Sequence, residues 1–157
     1  MASYDVLEET PENIEELKNL ANAKTSYQTR LTSIQQLRKY KCRQSIDILW
    51  RLMMQDKVYA VQEEAFRALQ RLGGTVKLSR KKKGNLVKDI NKRLEKVKNS
   101  FKGESYTIEQ FKYRFQELYP TEFDIYSFEK KGKMDTWINN VLTSLPSSPS
   151  VPKKDID

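Results

Sequence analysis

Eleven of the chain's 29 lysines and arginines fall between positions 77 and 102, opposed only by Asp89 and Glu95. That stretch carries +9, more than the +8 of the whole 157-residue chain, so the positive charge is concentrated rather than spread. Within it, Lys77, Arg80, Lys81, Lys82 and Lys83 sit on a polar connection, and Lys88, Lys92 and Lys96 follow at four-residue spacing. Ammonium groups in such an array can neutralise successive phosphates and release counterions. They can equally receive an acidic face of a partner protein, or form a solvated surface. Catalytic chemistry has little to work with here. The chain has no histidine, which removes histidine general bases, histidine triads and the usual zinc sites. Its one cysteine, Cys42, lies between Lys41 and Arg43, where a thiolate would be favoured, but it has no partner for a disulfide within the chain. No glycine-rich phosphate loop is present, and no cofactor or metal is expected.

The elements that must position these groups read as helices throughout. The stretch DKVYAVQEEAFRALQRLGG, 56–74, places Val58, Val61, Ala65, Ala68, Leu69 and Leu72 on one stripe at three-and-four spacing. Asp56 stands where an N-cap belongs, and Gly73 and Gly74 supply the residues that end a helix. The alanines let a neighbouring helix approach closely. Before it, Thr10-Pro11 opens a first helix with Ile14, Leu17, Leu20 and Ala21 inward. A second runs from Ser26 to about Tyr40, with Tyr27, Leu31, Ile34 and Leu37 inward, and a third from Arg43 to Gln55. The third carries Ile46, Leu49, Trp50, Leu52 and Met53, and Trp50 is assigned to the core. No stretch has the strict alternation of a half-buried strand.

The match of Asp56, Val61, Ala65, Ala68, Leu69, Leu72 and Gly73 resembles the second half of a HEAT repeat of the short, PBS-lyase-like form, over about residues 26–99. The resemblance implies a short α-α superhelix with the second and third helices as one hairpin. The 56–74 helix opens a second repeat, which Leu86, Ile90, Leu94 and Val97 of a later helix would close. The family usually has arginine after the valine, bonded to the aspartate of a neighbouring repeat; here that position is Gln62.

Beyond Gly103 the composition turns aromatic. Helical spacing puts Ile108, Phe111, Phe115 and Leu118 inward, then Trp137, Ile138, Val141, Leu142 and Leu145. The tyrosines at 106, 113, 119 and 126 are expected mainly in that core. The module is loosely similar to winged-helix or helix-turn-helix elements. The expected architecture is therefore all-α, with a HEAT-like repeat domain over 1–100, a small helical module over 104–146 and a disordered tail over 147–157. No apolar run is long enough for a membrane helix and no signal peptide is read at the start, so a cytoplasmic setting is expected. The function expected is non-catalytic: a short repeat surface that recruits another protein. A rival reading adds nucleic acid, bound through 77–102. A third, a DNA-processing enzyme of the HEAT-like glycosylase type, rests on Asp135 beside Trp137; the missing histidine and the short array weigh against it.

Overall fold

In the computed structural model of the protein, residues 6–81 and 86–145 are described. Among them the fold is all-α, with eight helices and one 3₁₀ turn. The chain forms two compact units, Met1–Gly84 and Asn85–Asp157.

The first unit holds α1 (Ile14–Ala21), α2 (Tyr27–Leu37), α3 (Arg43–Gln55) and α4 (Tyr59–Arg71). Its helices are bounded by local chemistry. The Ser26 hydroxyl accepts the Thr29 N–H at 3.1 Å and caps α2. At the end of α4, Gly73 N–H bonds to the Gln70 carbonyl and Gly74 N–H to that of Leu69, the paired bonds of a Schellman motif. Gly73 there has φ +91°, a conformation that costs glycine nothing. Helix α1 begins at Ile14, three residues after Pro11, with Asn13 as its N-cap residue and no side-chain cap, so Thr10 does not cap it as expected.

Every apolar residue of the 56–74 stripe is buried, from Val58 to Leu72, with Val58, Val61 and Ala65 at 0% exposure. Helix α4 packs mainly on α3, whereas α2 packs mainly on α1 and α4 and only lightly on α3. The hairpins are therefore α1–α2 and α3–α4, one helix out of phase with the α2–α3 pairing expected from the sequence. The reason lies on α2. Between Tyr27 and Ile34 its buried positions are Arg30 and Ser33, so it lacks a continuous apolar face for α3. Instead Arg30 reaches the α3–α4 junction. Its Nε donates to Asp56 Oδ2 at 2.7 Å, Nη2 to Oδ1 at 3.1 Å, and Nη1 to the Ala23 carbonyl at 2.6 Å. Asp56 Oδ1 also accepts the Val58 N–H at 2.9 Å, but Asp56 is the C-cap of α3 and Val58 is the N-cap residue of α4, so Asp56 is not the N-cap expected from the sequence.

The second unit contains α5 (Ile90–Asn99), α6 (Ile108–Leu118), α7 (Pro120–Lys130), the 3₁₀ turn Lys131–Lys133 and α8 (Met134–Ser144). Helix α5 packs its Ile90, Leu94 and Val97 face against α6 and α8. It thus begins this unit, and the division of the chain falls between 84 and 85 rather than at 100–104. Gly103, at φ +84°, is a turn inside the unit. Thr107 forms a complete capping box with Gln110 at the start of α6. Pro120 is the first residue of α7, where its fixed φ suits a helix and its missing N–H loses nothing. Phe111 and Phe115 are fully buried, each contributing about 1.5–3 kcal/mol. Tyr126 stacks on Trp137 with centroids 4.5 Å apart, and its hydroxyl accepts the Val87 N–H at 3.2 Å.

Candidate interaction surfaces

The basic residues singled out from the sequence do not fall in one unit. Lys77, Arg80 and Lys81 belong to the first, all exposed; Lys88, Lys92 and Lys96 belong to the second, also exposed. Lys82 and Lys83 lie outside the described residues. The segment after Gly74 alternates, with Val76 and Leu78 half-buried and Thr75, Lys77 and Ser79 exposed. It returns to the start of α4, where the Tyr59 hydroxyl donates to the Ser79 carbonyl at 3.3 Å. This is an extended strap rather than the plain polar loop expected.

On α5, Lys92 and Lys96 share an exposed face one turn apart, and no ion pair with a described residue engages Lys88, Lys92 or Lys96. The neighbouring Arg93 is tied down instead: it donates to the Lys88 carbonyl at 2.6 Å and pairs with Glu122 at 3.4 Å. The lysines therefore keep their charge available, which phosphate or carboxylate binding requires.

Trp50 is not in the core. It is 47% exposed on α3, and Met54, one turn on, is 53% exposed. With half-buried Ile46 they form a ridge at i, i+4 and i+8 that starts beside buried Met53 and turns away from the buried stripe of Ile48, Leu49, Leu52 and Met53 toward the outer face. The only ion pair along this ridge among the described residues is Arg43–Asp47, 3.5 Å apart and with side chains 88% and 66% exposed. Such a pair contributes little and is easily exchanged. In the second unit Tyr113, at 65%, and Leu118, at 48%, are likewise exposed where burial was expected. Tyr113 borders an open groove of about 430 Å³ lined also by Lys112, Phe123, Ser127 and Met134.

Asp135 is bound to Lys112 at 2.7 Å, and that hydrogen bond raises the Lys112 pKa. Trp137 stacks within the unit, so neither member of the glycosylase-like pair is held toward a groove as a free catalytic group. Cys42 is the N-cap residue of α3. Partial burial raises its thiol pKa, but hydrogen bonds from Ser45, Thr10 and the Ser45 and Gln44 backbone outweigh that and lower it overall. Among the described residues no group of three or more His, Cys, Asp or Glu side chains could hold a metal, and no helix is long and apolar enough to cross a membrane. A scan of protein-family models, a search of the curated proteins and a search of the solved structures each return no match to this chain.

Proposed function

We propose that the protein is a non-catalytic recruiting module whose first unit is a pair of HEAT-like repeats and whose working surface is the outer face of α3. The observation that carries this reading is the solvent-facing tryptophan with Met54 one turn away. Tryptophan, methionine and arginine are the residues enriched in interface centres, and Trp50 and Met54 stand beside Arg43 and Arg51. The repeat assignment has its own support. Tyr27 and Tyr59 open α2 and α4, so Arg30 and Gln62 occupy the same fourth position in successive hairpins. Arg30 therefore stands where the family places its arginine, and it bonds to Asp56, the aspartate of the following repeat. The polar link between repeats that Gln62 cannot make is made one repeat earlier.

Exposed Lys77 in the first unit, and exposed Lys88, Lys92 and Lys96 in the second, favour a second reading, in which nucleic acid is bound by charge and without sequence preference. One experiment separates them: capture from a lysate of the source cells, after nuclease treatment, by the wild type and by Trp50→Ser. Proteins retained only by the wild type support recruitment through α3. Capture that disappears with nuclease, and is indifferent to Trp50, replaces it with the nucleic-acid reading.

A further inference from the structure

The ridge on α3 is apolar along its length and basic at its ends. Ile46 to Met54 spans about 12 Å of helix, two turns. Before it come exposed Lys39, Lys41 and Arg43, and after it exposed Lys57; Arg51 lies alongside. From 38 to 57 the acidic residues are Asp47 and Asp56, and Asp56 is consumed by Arg30 in the interior. Within that stretch Asp47 alone remains outside, on the loose pair with Arg43; at the N-terminal end the Leu7 backbone bonds to Lys39 and Lys41, so exposed Glu8 and Glu9 offset part of the charge there.

Resting on the recruiting role proposed above, we infer that this ridge receives an acidic amphipathic helix, with an apolar stripe over Ile46, Trp50 and Met54 and carboxylates at both ends. A ridge of side chains at i, i+4 and i+8 offers the row that a partner helix accommodates between its own rows. The terminal lysines and arginines then meet carboxylates across the rim, where charge governs partner choice and encounter rate. A second copy of the chain fits less well. The described residues of the first unit hold fourteen lysines and arginines against nine aspartates and glutamates, and a two-fold contact through α3 would set basic ends against like charge.

The test uses a displayed library of 18-residue helical peptides, randomised along one face and at both ends, selected on the full chain. Enriched peptides should carry an apolar stripe flanked by aspartate or glutamate. Trp50→Ala should weaken them about thirtyfold, the size expected for truncating a central interface residue. Because Trp50 is exposed, the fold should be untouched, which unchanged circular dichroism would verify. In the variant Arg43→Glu with Arg51→Glu and Lys57→Glu, the preference should pass to lysine-flanked twins of the same peptides. Ligands indifferent to Trp50→Ala would overturn this inference while leaving recruitment elsewhere on the chain standing. Ligands that need Trp50 but have basic or neutral ends would overturn the acidic assignment. An empty selection would overturn it outright, as would sedimentation showing a dimer that Trp50→Ala dissociates, since the ridge would then be covered by a second copy.

Discussion

The Arg30–Asp56 pair is the contact on which the first unit's register depends, and removing one partner should show it. Both side chains are nearly enclosed, 7% and 6% exposed, and the guanidinium makes two bonds to the carboxylate and one to the Ala23 carbonyl. In Asp56→Ala the buried cation loses both bonds to its carboxylate, while the Val58 N–H loses its acceptor. Breaking a buried pair on one side costs about 3–5 kcal/mol, and loss of the bond to the Val58 N–H adds about 1 kcal/mol. At tenfold per 1.4 kcal/mol, amide exchange in α2–α4 should accelerate by about 10³–10⁴-fold, up to the limit set by global unfolding of the unit. Hydrogen exchange read by mass spectrometry distinguishes these peptides from those of α6–α8, which should not change. Arg30→Met combined with Asp56→Asn removes both charges while keeping an oxygen for Val58, so it should cost less than the two single changes summed. Acceleration under about tenfold in Asp56→Ala would refute the argument, because the pair would then be adequately solvated.

Three further outcomes follow from the same geometry. Ala65 is fully buried on α4, so Ala65→Leu should overpack that face and lower stability by about 1–3 kcal/mol in thermal melts. Lys131 holds φ +42° and ψ −124°, a conformation L side chains rarely adopt, and Lys131→Gly should therefore raise the stability of the second unit by about 1 kcal/mol in denaturant titrations, despite losing the contact with the Phe128 ring. The lowered Cys42 thiol should react with iodoacetamide at a lower pH than an ordinary exposed cysteine; Ser45→Ala, which removes a hydrogen bond to it, should move the rate profile to higher pH.

Helix positions were legible wherever a terminus had its own chemistry. Ser26, Thr107 and the Gly73–Gly74 pair each act on the backbone within four residues, so their effect is local and readable, whereas Pro120, which reads as the end of α6 in the sequence, opens α7. Partnership between helices was less so. Periodicity shows that Ile90, Leu94 and Val97 form a buried face, but not which helix buries it, and α5 went to the second unit. Arg30 was overlooked because charge was taken to mean surface, although it stands three after Tyr27 and four before Ile34, an inward position. An arginine there needs a buried anion, and Asp56 was the available one.

The candidate surface had a signal of the same kind. Helix α3 has thirteen residues, seven of them apolar: Ile46, Ile48, Leu49, Trp50, Leu52, Met53 and Met54. One core-facing stripe accommodates Ile48, Leu49, Leu52 and Met53, the four that are buried. The remaining three share a four-residue spacing that runs from the edge of that stripe, at half-buried Ile46, onto the exposed face at Trp50 and Met54. Assigning all seven to one interior demands a helix apolar nearly all round, which Arg43, Asp47 and Arg51 contradict. The surplus is thus a second face, and its exposure leaves Trp50 and Met54 with apolar area that the unit itself does not bury. A charge count alone pointed to 77–102 because it registers sign and number. It is blind to the combination on α3, where fewer cations stand at the ends of an apolar ridge and can select a partner by shape as well as by charge.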